Sequence, residues 1–201
     1  MKFSRKIEPE VNEDKDIYSV KLSLPAWDLI PDINLYSEQV IHIVNESLKD
    51  NTIFGNEIDF TESFITSTMI NNYVKNELIS PPENKRYSRE QIAKLIVISL
   101  LKQVYSTDDI SKFLEITHSA VTIERAYTSF VRFLVESVGM VFLEGKRVEE
   151  DSKVIENTYK ESLKDQFNVE TKEQALLKTV TLSIAHRIYI QEYLNRLEDE
   201  K

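Results

Sequence analysis

The chain has no cysteine. Disulfide bonds and thiolate metal sites are therefore excluded. Glycine occurs 3 times and proline 5 times in 201 residues. Tight turns are then few, which favours a mostly helical chain. No run of eighteen apolar residues appears, and the charged start lacks the apolar centre of a secretory signal. A cytoplasmic protein with no membrane contact is expected. Catalytic patterns are missing too. His42, His118 and His186 stand on separate segments without metal-site spacing. There is no glycine-rich phosphate loop and no nucleophile elbow. Adjacent acids such as Asp108-Asp109 and Glu149-Glu150 do not face each other on a helix. The expectation is a non-enzyme without cofactor or metal.

What is present is a folded, acidic chain with one basic stretch. Hydrophobic residues make up 41% of the sequence, enough for a packed core in one or two domains. The net charge is −9, which opposes binding to a polyanion. Its distribution is uneven. Residues 65–102 carry six cations (Lys75, Lys85, Arg86, Arg89, Lys94, Lys102) against three acids (Glu77, Glu83, Glu90), a local +3. Residues 1–64 carry thirteen acids against six cations. Charges farther apart than about 8 Å are largely screened at physiological salt, so the local sign governs contact.

The basic stretch is also the best patterned. Thr66 or Ser67 is placed to cap a helix over about 66–78. Ile70, Tyr73, Val74 and Leu78 form its apolar face, and Thr68, Asn71, Asn72 and Lys75 share an opposite face that holds no acid. Asparagine matches the adenine edge in a major groove, and threonine and lysine reach phosphates or bases. A polar face of this kind is also the ordinary solvated side of a surface helix. Pro81-Pro82 are expected to stop the helix. Residues 83–87 form a turn with two adjacent cations, Lys85 and Arg86. Ser88 and Gln91 form a capping box for a helix that is apolar on most sides, from Ile92 to Leu101. Asp108 and Asp109 open a further helix, whose positive end suits them.

The order Met69-Ile70-Asn71-Asn72-Tyr73, Leu78-Ile79, Pro81-Pro82, Lys85-Arg86-Tyr87-Ser88, then Thr107-Asp108-Asp109-Ile110 and Leu114, resembles the DNA-binding domain of MerR-type winged-helix regulators over roughly residues 60–116. The resemblance implies a reading helix in the major groove and a wing that grips the phosphate backbone. It puts Lys85 at the wing arginine, Tyr87 at the wing tyrosine and Tyr73 at an aromatic of the reading helix. The chain departs from that pattern at Asn71, where arginine is usual, at Glu77, where glycine is usual, and in a wing of four residues. A wider resemblance, carried by Leu24-Pro25 to Trp27, Leu35-Tyr36 and Met69 to Lys75, is to a bacterial family known only as a domain of unknown function.

The remaining segments supply scaffolding. Residues 1–16 are charged and unpatterned, a mobile arm. Tyr18, Val20, Leu22 and Leu24 alternate with polar residues, which suits a short strand or an extended arm. Trp27, between Pro25 and Pro31, is a packing anchor. Asp32 or Asn34 is expected to cap a helix containing Leu35, Val40, Ile43, Val44 and Leu48, followed by an extended connection over 49–64. Residues 119–143 form a strongly amphipathic helix, with Gly139 as a bend and Gly145 as a stop. Residues 144–153 read as a surface connection and Ile155 to Phe167 as another helix. Thr171 and Gln174 cap a last long helix. The C-terminal helices suit either a dimer interface or the core of one protomer. The aromatic run Tyr127, Phe130, Phe133 and Phe142 suits plain core or a small-molecule pocket.

The expected fold is mostly α, a MerR-like winged helix-turn-helix with appended C-terminal helices. Its divisions are a mobile arm at 1–16, a DNA-binding domain at 17–118 and a dimerisation or sensing region at 119–201. The expected partners are double-stranded DNA, a second copy of the chain and an unknown small-molecule effector. The DNA-binding residues would be Ser67, Thr68, Asn71, Asn72, Tyr73, Lys75, Lys85, Arg86, Tyr87 and Arg89. The alternatives are a protein–protein adaptor that no longer binds DNA, favoured by the acidic total, and a ligand-sensing helical domain.

Overall fold

Apolar spacing sets the helices and their inner faces. The computed structural model describes residues 6–7, 22, 24–49, 51, 64–150 and 171–199. Helix α1 (Ser37–Leu48) buries Val40, Val44 and Leu48. Helix α2 (Ser67–Lys75) buries Ile70 and Tyr73. Helix α3 (Arg89–Leu101) is buried at ten of its thirteen residues, so it is the central element. Helices α4 (Thr107–Ala120), α5 (Ile123–Glu150) and α6 (Lys172–Asp199) follow. Helices α5 and α6 pack along each other, and α3 touches both α1 and α5. Buried residues from Leu22 to Ile188 form one hydrophobic cluster.

Two short antiparallel pairings tie distant parts of the chain to this core. Strand β1 (Lys6–Ile7) pairs with β2 (Leu24–Pro25). Lys6 and Ile7 are thus held by a ladder within the segment expected to be a mobile arm; the rest of 1–16 lies outside the described residues. Strand β3 (Leu35–Tyr36) pairs with β4 (Arg86–Tyr87), Leu35 opposite Tyr87 and Tyr36 opposite Arg86. Between β2 and β3 a 3-10 turn, Trp27–Leu29, brings Trp27 to 6.1 Å from the Tyr127 ring of α5. The buried Tyr127 hydroxyl donates to the Pro25 carbonyl at 2.7 Å. Burial pushes that hydroxyl well above the usual phenol range. Trp27 is the expected anchor: it fixes the chain's N-terminal part to α5.

Several local expectations are corrected. Leu35 is not helical. It and Tyr36 are extended, and α1 begins at Ser37, where the Gln39 side chain accepts from the Tyr36 amide at 3.0 Å. Neither Asp32 nor Asn34 caps it. Helix α2 ends at Lys75, well before Pro81-Pro82. Helix α5 continues through Gly139 and Gly145 to Glu150, across most of the segment expected to be a connection. One helical glycine costs only about 1 kcal/mol relative to alanine, and the surrounding Glu, Lys and Arg are good helix formers. A Cβ at Gly139 would meet nothing within 4 Å, so no close approach requires that glycine. Thr171 caps α6 as expected, accepting from the Gln174 amide at 3.2 Å. The expected helix at Ile155 to Phe167, the residues Tyr18 and Val20, and residues 52–63 of the expected connection lie outside the described residues. None of the described helices is long and apolar enough to cross a membrane.

Candidate functional site

The polar face of α2 is held out by its two ends. At the start, Thr66 is the N-cap and accepts from the Met69 amide at 3.3 Å. One residue earlier, the Asn45 side chain of α1 pairs with both backbone groups of buried Ile65. It donates to the carbonyl at 3.2 Å and accepts from the amide at 3.0 Å. At the far end, Glu77 adopts φ 58° and the Leu78 amide donates back to the Tyr73 carbonyl at 2.9 Å. This is a left-handed C-terminal cap of the kind that glycine usually supplies, with buried Leu78 folding onto the helix. The face between is the expected one: Ser67, Thr68, Asn71, Asn72 and Lys75 are exposed, while Ile70 and Tyr73 point inward.

The basic turn is a two-residue β-hairpin. Asn84 and Lys85 have φ 49° and 63°, and the Arg86 amide donates to the Glu83 carbonyl at 2.9 Å. Two successive positive φ values mark the type I′ geometry that suits the twist of paired strands. Glu83 and Arg86 bridge, and Arg86–Tyr87 then pairs outward with Leu35–Tyr36. The turn is thus the tip from which β4 runs back to its pairing with β3. Lys85 and Arg86 are exposed at that tip.

The cations of the stretch differ in what holds them. Among the described residues, Lys75 and Lys85 have no ion-pair or hydrogen-bond partner on their ammonium groups. The Arg86 guanidinium lies 4.7 Å from the Tyr36 ring centroid and donates to the Tyr36 hydroxyl at 3.0 Å, while remaining exposed. Arg89 is directed elsewhere. Its guanidinium sits 5.5 Å from the Trp27 ring centroid and 3.7 Å from an Asp32 carboxylate oxygen, and its Nε is buried without a partner. Tyr73 and Tyr87, expected at the contact surface, are 5% and 4% exposed. Burial raises both hydroxyls above the ordinary phenol value. They pack the core behind the polar face rather than forming part of it. His42 and His186 are exposed, and the His118 side chain lies outside the described residues. No group of three metal-ligating side chains is present among the described residues.

Residue spacing did not reveal the amides behind this surface. Gln91 is 8% exposed and closes the base of the hairpin, reaching the chain before and after it. Its capping-box spacing was visible; its bonds to Ser80 and Pro81 were not. Asn45 carries no sequence signal beyond its place on a helix.

The family model described as Domain of unknown function (DUF1836) matches residues 25–130. Among curated proteins and solved structures, none matches the chain. The matched region includes α2, the hairpin, α3, α4 and the two clamping amides, and it spans more than half of the 201 residues. The chain belongs to the DUF1836 family.

Proposed function

We propose that the chain is a sequence-specific DNA-binding transcriptional regulator built on a MerR-like winged helix-turn-helix. In this reading α1 and α2 are the helix-turn-helix pair, the hairpin at 83–87 is the wing, and α2 enters the major groove. One observation carries it: an exposed helix face without acids, Ser67, Thr68, Asn71, Asn72 and Lys75, is joined through a pinned loop to a hairpin tip that presents Lys85 and Arg86. Asn71 and Asn72 read base edges; Lys75, Lys85 and Arg86 hold phosphates. Ser67 and Thr68 lie at the helix N-terminus, where backbone amides and hydroxyls suit a phosphate. Tyr73 and Tyr87 position the face from behind, and Arg89 positions Trp27. The left-handed backbone at Glu77 also fits, because it is the position where the MerR-type pattern carries glycine. A second copy of the chain, paired through the C-terminal helices, would place two such faces on one duplex.

The test is selection of genomic fragments on the purified protein, then titration of the enriched fragment by anisotropy at several salt concentrations. Lys85→Ala with Arg86→Ala weakens binding to every sequence and flattens the salt slope by about 2, roughly one per lost phosphate contact. Asn71→Ala lowers the preference for the enriched site by about 1–3 kcal/mol while leaving non-specific binding in place. No enriched fragment, or titrations that the double variant leaves unchanged, overturns the reading. The net charge of −9 favours a second one, a protein-binding adaptor using the same face. It predicts no enrichment of DNA together with loss of a co-purifying protein in the Asn71→Ala chain.

A further inference from the structure

A cavity of about 320 Å³ opens between α3, α4, α5 and the first two turns of α6. It is near the lower end of the range of roughly 300–1,000 Å³ typical of small-molecule sites. Phe113, Tyr127, Phe130 and Leu177 supply an apolar wall from three different helices. The polar lining carries more positive than negative charge: Lys94 and Arg125 against one acid, Glu173. Glu173 is already occupied, because its carboxylate is held below the usual range by its own backbone amide and the Thr171 side chain at the start of α6.

Lys94 is the unusual member. It sits on the largely buried helix α3, half-buried, with buried Ala93 and Leu95 on either side. Among the described residues its ammonium has no hydrogen-bond or ion-pair partner. Glu90, one turn earlier, is exposed; its attraction offsets only part of the burial that pushes the Lys94 pKa down. A cation at the wall of a largely apolar cavity, only partly compensated by the chain, is compensated most simply by an anionic ligand.

We propose that this cavity is a binding site for a small monocarboxylate with an apolar body, its carboxylate on the Lys94 ammonium and its body against Phe113, Tyr127, Phe130 and Leu177. A carboxylate suits the site better than a phosphate. Lys94 and Arg125, less the acid Glu173, leave one net positive charge on the lining, which a single carboxylate balances and a dianion would exceed. The proposal does not depend on the DNA-binding reading.

The chain carries its own reporter. Trp27 is the sole tryptophan, and its ring lies 6.1 Å from Tyr127, which lines the cavity. The full chain is titrated with octanoate and, separately, with octanol, following Trp27 emission and calorimetric heat. Octanoate is expected to bind at least about tenfold tighter than octanol. Lys94→Met removes the charge but keeps the length of the side chain, so both ligands should bind it equally. Ala126→Phe, placed to fill the cavity, should abolish both titrations; circular dichroism confirms that the variant is folded. If octanol binds wild type as well as octanoate does, or if the Lys94→Met chain retains the preference, the assignment is overturned. Failure of octanoate to saturate wild type at millimolar concentration overturns it too.

Discussion

Gln91 and Ser80, eleven residues apart, are joined by a side-chain donation from the Gln91 Nε2 to the Ser80 carbonyl at 2.8 Å. The same nitrogen lies 3.2 Å from the Ser80 hydroxyl and 3.3 Å from the Pro81 carbonyl. The Oε1 of the same amide accepts from the Ser88 amide at 2.8 Å. One side chain therefore grips the loop on both sides of the hairpin and fixes where Lys85 and Arg86 stand relative to α2.

Gln91→Glu separates the two grips. A carboxylate can still accept from Ser88, and Ser-x-x-Glu is as good a capping box as Ser-x-x-Gln. It cannot donate to Ser80 and Pro81, whose carbonyls then face a partly buried negative charge. A loss of about 1–3 kcal/mol at neutral pH is expected from denaturant melts. The pH dependence follows from the same contacts. Two carbonyl oxygens favour the protonated acid, so the introduced carboxyl has a folded pKa above its unfolded value near 4.3. The protonated form restores the donor. The deficit is therefore smallest below the unfolded pKa and grows as pH rises through the folded one. A deficit independent of pH would mean that the Ser80 contact contributes nothing.

Lys85 separates stability from binding. Its φ of 63° is unfavourable for a side chain with a Cβ, and a type I′ turn favours glycine there. Lys85→Gly is expected to stabilise the chain by about 1 kcal/mol in thermal or denaturant melts. The same change removes an exposed, unpaired cation from the hairpin tip, so under the DNA-binding proposal affinity is expected to fall with about one unit of salt slope lost. Lys85→Ala lowers affinity similarly without the gain in stability. Opposite signs for stability and affinity in the glycine variant would separate this residue's binding role from folding. Unchanged affinity in both variants would exclude Lys85 from the contact.

Periodicity made α2, α3 and α4 legible, because burial at three- and four-residue spacing is the same physical constraint that the sequence pattern records. It gave the direction of Asn71, Asn72 and Lys75 for the same reason, and Tyr73 stood on the apolar side from the outset. Contacts set by loop geometry were less visible. Leu35–Tyr36 pairs with residues about fifty positions away, and two-residue strands are too short to show alternation. Lys85 in a left-handed conformation runs against residue preference, so the turn type was hidden although Asn84 hinted at it. In the sequence Arg89 is one more cation; only the fold sets Trp27 and Asp32 beside it. Helix α5 passed Gly145 because one glycine is a small cost within a long helix.

Lys94 yields a prediction about stability that needs no ligand. Burial lowers its pKa in the folded chain, so between that pKa and the unfolded value near 10.4 the unfolded state binds more protons. Stability from this group then rises with pH across that window and is lowest where Lys94 is charged in both states. Lys94→Met is expected to melt above wild type at pH 7, with the difference shrinking as pH approaches the lysine range. Comparing the two proteins cancels the contribution of the buried tyrosines they share. A variant that melts below wild type at every pH would show that the ammonium is stabilised where it sits.

The last helix bears on assembly. Ile190, Tyr193, Leu194 and Leu197 are 50%, 47%, 46% and 43% exposed on α6, at three- and four-residue spacing. The opposite side of the helix is fully packed at Ile184 and Ile188. Four large apolar residues along one solvent-facing stripe are more than scattered surface hydrophobicity, and a symmetric pairing of two copies would cover them. Ile190→Glu with Leu194→Glu is expected to turn a dimer into a monomer in sedimentation runs at micromolar concentration. The thermal melt of the protomer should change little, because neither residue contributes to the core cluster. Under the DNA-binding proposal, affinity should also fall more steeply than for loss of any single phosphate contact, since a monomer would bring only one reading head. A wild-type chain that sediments as a monomer across that range would remove the pairing, and with it the expectation of a palindromic site.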